Sequence, residues 1–232
     1  EAEVRACMAE QGEGLLDFGT WCTLVEEHGQ DFTVWPEEFR DPHGEAIADF
    51  RATRQERIDF FCWLQWVADA QLATCQQTAR SAGMRLGILH DLAVGVHPKG
   101  ADAWALQDVM ASGVTVGAPP DMYNQMGQNW SQPPWRPDTL AEEAFIPYRD
   151  MLRTVLRHAG ALRLDHILGL FRLWWVPEGM PAYAGTYVKY DHEALLSILL
   201  LEAHRVGAVL IGEDLGTVER WVHELLEERG IL

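Results

Sequence analysis

A chain of 232 residues, 48% hydrophobic and 10% aromatic, carries enough apolar material for one large domain with a core of its own. Its 35 acidic and 18 basic side chains leave a net charge of −17, so a polyanion such as nucleic acid meets a repelling surface and a neutral substrate does not. No stretch reaches the roughly 18 apolar residues of a membrane-spanning helix, and there is no charged segment followed by an apolar core near Glu1; a cytoplasmic protein without a membrane partner is expected.

The four cysteines, Cys7, Cys22, Cys62 and Cys75, have neither CxxC nor Cys/His metal spacing, which fits reduced thiols. Residues 1 to about 50 mix short helical patterns with Trp21, Trp35 and a turn at Asp41-Pro42-His43-Gly44, and read as a helical insertion. From Ala52 to about Arg80, apolar residues such as Ile58, Phe61, Leu64, Val67, Leu72 and Cys75 recur at helical spacing, predicting one long helix or two in succession. Gly83 stops that pattern, and Met84 to Leu89 has the short apolar character of a buried strand delivering Asp91.

Residues 112 to 138 are rich in Gly, Pro, Asn and Gln and read as a long loop over a site. A helix is expected from Pro147 to Gly160, then a strand Ala161 to Leu164 that ends at Asp165. Asp191 is placed to cap a helix closed by Gly207, before the strand Ala208 to Ile211 that leads to Glu213. Thr217 is placed to cap a last helix that stops at Gly230.

Helix, glycine and apolar strand thus recur, each strand leading to a carboxylate: Asp91, Asp165 and Glu213. That repeat predicts an α/β fold with parallel strands, read as part of a (β/α)8 barrel of about three central βα units over 51–232 with the helical insertion over 1–50. A doubly wound sheet stays open, although no Gly-rich phosphate fingerprint follows any strand.

In Arg163-Leu164-Asp165-His166, alternation along a strand puts Arg163 and Asp165 on one face and Leu164 on the other. A guanidinium there favours the ionised carboxylate that a nucleophile needs, while a purely structural Arg–Asp pair fits the spacing equally well. In Ile211-Gly212-Glu213-Asp214-Leu215-Gly216, the two glycines are read as leaving room for a ligand before Glu213, which suits a general acid. Asp214 reads as a loop residue. Retaining glycoside chemistry asks for two carboxyl groups about 5 to 5.5 Å apart, which neighbouring strand ends can supply. Ten tryptophans are many for this length; Trp130, Trp135, Trp174 and Trp175 fall in expected loop segments, where each serves a core or a sugar platform.

Five segments in order, Asp91-Leu92-Ala93-Val94-Gly95-Val96, Gly117-Ala118-Pro119-Pro120-Asp121, Gly127-Gln128-Asn129-Trp130, Arg163-Leu164-Asp165-His166 and Gly212-Glu213-Asp214-Leu215-Gly216-Thr217, together resemble amylomaltase, the 4-α-glucanotransferase family 77 of the glycoside hydrolases. The resemblance implies transfer of α-1,4-glucan segments between malto-oligosaccharides, with no cofactor and no metal. It implies Asp165 as nucleophile, Glu213 as acid/base, and Asp91, Arg163, Asp121, Gln128, Trp130 and His166 as substrate-binding residues.

The third carboxylate of that family, an Asp preceded by His, has no counterpart after Glu213. With Glu1 at the start and Arg229-Gly230-Ile231-Leu232 at the end, an internal fragment is therefore expected, its third carboxylate outside this chain. The alternatives are a hydrolase of the α-amylase superfamily and a glucan-binding module without turnover. A metal-dependent barrel hydrolase is disfavoured because the His-x-His pattern is missing.

Overall fold

The structure is a computed structural model describing residues 11–215 and 218–232. The chain forms two compact units, one running to Leu72 and taking in Val96–Gln107, the other built from Ala73–Gly95 and Asp108–Leu232.

The first unit is helical. Helix α1 (Glu13–His28) ends at Gly29, whose φ of 83° turns the chain while its amide donates to Val25 O at 2.8 Å. The short α2 (Glu37–Arg40) and the Asp41 turn follow, with Asp41 accepting from the His43 amide at 2.9 Å. Helix α3 (Glu45–Ser81) is one helix kinked at Arg54, so residue 50 lies inside it and the units divide further along. Leu24, Trp35, Ile47, Phe50 and Trp104, the last on α4 (Ala101–Ala105), make the core of this unit. Gly19 lets α1 approach α3 closely, because a Cβ there would sit 2.9 Å from Cys62 Sγ.

The apolar pattern expected along α3 overstates its burial. Ile58 and Cys62 are buried, whereas Leu64, Leu72 and Cys75 are exposed. Helical periodicity marks a face, and only packing decides whether anything covers it.

The second unit holds a parallel sheet in the order β1 (Leu89–Leu92), β4 (Ala161–Leu164), β7 (Val209–Gly212). Helix α5 (Pro137–Glu142) comes before α6 (Ile146–Leu156), which begins with proline in its first turn, as the sequence predicts, and ends at Leu156, short of Gly160. It packs on α7 (His192–Val206), which Asp191 caps by accepting from the Ala194 amide at 3.1 Å and which Gly207 closes in a left-handed conformation. Leu152, Leu156, Leu162, Leu196 and Leu199 are all buried between helices and sheet, each stabilising by about 1.5–3 kcal/mol. Parallel strands with helices between them are the α/β arrangement expected. Leu232 extends the ladder past β7, donating to Leu210 O at 3.1 Å and accepting from Gly212 N at 2.7 Å. Helix α8 (Arg220–Glu228) precedes it, with Glu219 at its N-cap position; the expected Thr217 cap lies outside the described residues.

Strand β1 starts later than the apolar run beginning at Met84 suggests. Gly87 has φ 76°, which breaks an extended path, and Gln76 pins the flanking backbone by donating to Leu86 O at 3.0 Å and accepting from Ile88 N at 2.7 Å. Asp91 therefore lies inside β1, paired with Arg163, instead of following the strand.

A second, antiparallel sheet has no counterpart in the sequence reading. It runs β3 (Gln128–Asn129), β2 (Val114–Ala118), β5 (Arg172–Pro177), β6 (Thr186–Lys189). The region 112–138 is thus partly strand, and Trp174 and Trp175 sit on β5 instead of in a loop. Gly117 permits the β2–β3 crossing, since a Cβ would fall 2.0 Å from Gln128 O.

Candidate active site

The register Leu164↔Gly212 makes Asp165 and Glu213 the next residues on adjacent parallel strands. Backbone bonds hold them there: Asp165 N donates to Leu92 O at 2.9 Å and Glu213 N to Leu164 O at 3.0 Å. Both line a cleft of about 490 Å³ together with Asp121, Gln128, Trp130, His166, Arg172 and Tyr187.

Arg163 joins two of the expected acids. Its Nη1 donates to Asp91 Oδ1 at 2.7 Å and its Nη2 to Asp165 Oδ1 at 2.9 Å. One planar fork thus spans neighbouring strands, which a lysine could not do in the same way. Asp91 and Arg163 are not part of the cleft lining; they reach it through Asp165. Leu164 is buried on the other side of the strand, as alternation predicts.

His166 turns the chain out of β4 with φ 50° and ψ 60°, a left-handed conformation uncommon for residues with a side chain and least so for Asn, Asp and His. The turn aims its amide at Glu213, which accepts it through Oε2 at 2.8 Å. The imidazole packs edge-on against Trp130, centroids 5.4 Å apart. Burial pushes the imidazole below its ordinary value, and the charges of Glu213 and Asp165 oppose that only in part. The next residue explains Gly212. A Cβ on Gly212 would meet Ile167 Cδ1 at 2.5 Å, so this glycine makes room for a core side chain and not, as the sequence suggests, for a ligand.

The opposite wall comes from the Pro119-Pro120-Asp121 turn and the strand after it. Asp121 Oδ1 accepts from the Tyr123 and Asn124 amides at 2.7 and 2.6 Å, folding the turn on itself. Gln128 Oε1 accepts from Trp130 Nε1 at 3.1 Å, so these two expected binding residues are fixed to each other. Asp214 pairs with His223 Nδ1 at 2.8 Å, the loop role expected of it.

All eight expected site residues fall in the second unit, six lining the cleft, Arg163 bonded to Asp165 there, and Asp91 bonded to Arg163. Sequence reading missed Tyr187 and Arg172, whose signal was the strand character of Arg172-Leu173-Trp174-Trp175-Val176 and of Thr186-Tyr187-Val188. Among the described residues no three His, Cys, Asp or Glu side chains converge as a metal site.

Comparison with known proteins shows what the chain is similar to. A 4-alpha-glucanotransferase of Mycobacterium tuberculosis is 58% identical over 232 residues, covering 100% of this chain and 32% of the relative. That of Haemophilus influenzae is 39% identical over 230 residues, covering 95% of this chain and 33% of the relative. The chain spans about a third of the length of these curated relatives. The crystal structure of amylomaltase from Corynebacterium glutamicum superposes with a TM-score of 0.87 at 51% identity, over 100% of this chain and 31% of that one. An amylomaltase from Streptococcus agalactiae in complex with acarbose, 19% identical, shares the fold with a TM-score of 0.83 over 98% of this chain and 47% of its own. The model of glycoside hydrolase family 77, described as 4-alpha-glucanotransferase, matches residues 1–232, and the chain belongs to that family.

Proposed function

We propose that this chain carries the centre of a 4-α-glucanotransferase active site that moves α-1,4-glucan segments between malto-oligosaccharides by retaining double displacement. The observation that carries the reading is that Asp165 and Glu213 directly follow the paired residues Leu164 and Gly212 at the ends of adjacent parallel strands and line one cleft. Neighbouring strands lie about 4.8 Å apart, which suits the roughly 5–5.5 Å that separates nucleophile and acid/base in retaining enzymes.

A carboxylate oxygen of Asp165 attacks the anomeric carbon while the bond to the leaving 4-oxygen breaks and Glu213 gives that oxygen its proton. The first product chain leaves, and a glycosyl ester remains on Asp165. The 4-hydroxyl of a second glucan then gives its proton to Glu213, attacks the same carbon and frees Asp165. Arg163 orients Asp165 against Asp91, and His166 fixes Glu213 through its backbone. Trp130, Gln128 and Asp121 form the wall that favours a sugar hydroxyl over water as acceptor.

The same reading takes the parallel strands as part of a (β/α)8 barrel whose acids sit at its C-terminal face. The Leu232 ladder beside β7 supports a sheet that continues. The net charge of −17 suits a neutral glucan and disfavours nucleic acid, and four cysteines with neither CxxC nor Cys/His metal spacing fit a cytoplasmic setting.

Incubating the full-length protein with maltotriose tests this. Longer oligomers alongside glucose are expected, and glucose with maltose alone would make the protein a hydrolase. Asp165→Asn should lower turnover at least a thousandfold, roughly what loss of a nucleophile or its partner costs; unchanged turnover would remove Asp165 from the role.

A further inference from the structure

We infer that Tyr187, on the antiparallel sheet, is an aromatic platform on which a glucose ring of the bound glucan stacks beyond the ring being transferred, so that it sets the affinity for longer chains. This rests on the glucan-transfer reading above and extends it to a residue that neither the family motifs nor the carboxylate chemistry requires.

The β5–β6 register sets Trp174 opposite Tyr187 and Arg172 opposite Lys189, so Arg172 is the diagonal neighbour of Tyr187. Both neighbours hold the ring. The Arg172 guanidinium lies 4.4 Å from its centroid, and the Trp174 ring meets it near-perpendicular with centroids 5.0 Å apart. These supports are themselves anchored: Trp174 Nε1 donates to Ala182 O at 2.8 Å, and Arg172 Nη1 pairs with Glu219 Oε1 at 3.2 Å. Gly185 lets the hairpin close over Trp174, for a Cβ there would lie 2.5 Å from Trp174 Nε1.

Held from two sides, Tyr187 nevertheless stays 39% exposed and lines the cleft that contains Asp165 and Glu213. A tyrosine recruited for stability would bury its ring, since burial is what makes an aromatic stabilising. A braced ring in an open cleft is instead pre-ordered for a ligand, because little side-chain freedom remains to be lost on binding. The apolar C–H face of a pyranose is the ligand surface that fits a flat ring in a water-filled cleft. The cation beside the ring does not oppose a neutral sugar. Tyr187 lies on β6 of the antiparallel sheet, whereas Asp165 and Glu213 follow β4 and β7 of the parallel one, so its ring offers a binding surface separate from the two acids.

The test uses full-length protein carrying Asp165→Asn, which stops turnover, with maltoheptaose and maltotriose titrated by calorimetry. Tyr187→Leu in that background should weaken maltoheptaose binding about tenfold, the size of a lost aromatic contact, and maltotriose binding distinctly less. Tyr187→Phe should restore the affinity, because stacking needs the ring and not the hydroxyl. Equal maltoheptaose affinity with Tyr187→Leu, or a loss in Tyr187→Phe as large as in Tyr187→Leu, overturns the inference. No binding of either sugar by the Asp165→Asn protein would instead overturn the glucan reading itself. A readout that needs no change at Tyr187 is the ring resonance of 13C-labelled Tyr187: it should shift on saturation with maltoheptaose, and a resonance that stays in place overturns the platform.

Discussion

The His166 amide donates to Glu213 Oε2 at 2.8 Å, and it can do so because His166 occupies the left-handed region at φ 50°. Backbone strain immediately after Asp165 thus orients the carboxylate proposed as acid/base. A β-branched residue resists that conformation most. His166→Val should lose about 1–2 kcal/mol of stability to the left-handed backbone and reduce kcat strongly. His166→Gly accepts the conformation, so it should keep Glu213 oriented and retain the larger share of kcat. Melting curves and maltotriose kinetics on both variants check this, and equal kcat in the two would disconnect the turn from Glu213.

Arg163 holds Asp91 and Asp165 with one guanidinium. Arg163→Lys keeps the charge and loses the fork, so kcat/KM for maltotriose should fall about tenfold or more, with the greater part in kcat if the Asp165 carboxylate is misplaced. Asp91→Asn should reproduce part of that loss, and the double variant should show less than the product of the two. Multiplicative losses would mean that Asp91 and Arg163 act separately.

Burial holds the His166 imidazole below its ordinary value of 6.5. The unfolded chain therefore takes up a proton near pH 6.5 that the folded site accepts only at lower pH. Stability rises with pH across that window: it is complete above 6.5 and falls as the pH drops through it. Urea midpoints at pH 7.5 and pH 5.5 should differ less in His166→Gln than in the parent protein. An unchanged difference would assign the pH dependence elsewhere.

Two glycines are required by proximity. A Cβ at Gly160 would fall 1.5 Å from Leu86 O, a backbone atom that cannot swing aside. Gly160→Ala should cost about 3 kcal/mol by forcing β4 away from the segment before β1. Gly212→Ala meets side-chain atoms of Ile167 instead of backbone and should cost less, about 1 kcal/mol, while lowering kcat, since Ile167 follows directly on His166. Denaturant midpoints rank the two, and the reverse order would refute the contact argument.

The sequence by itself determined the alternation of helix and buried strand, the caps at Asp191 and Gly207, and the acids that follow β4 and β7. These are local properties, written in apolar runs, turn residues and motif order, and they need no distant partner. Only the tertiary structure decided the rest. The start of β1 depended on Gly87 and on Gln76 reaching across from the preceding helix. The antiparallel sheet depended on β2 finding β5 some sixty residues away, a pairing that no local pattern encodes. Gly212 changed meaning for the same reason: its neighbour in space, Ile167, lies on another strand's loop. Long-range packing chooses which faces are covered and which side chains share a cleft, and it brought Tyr187 to the site from a short strand whose partner the sequence does not name.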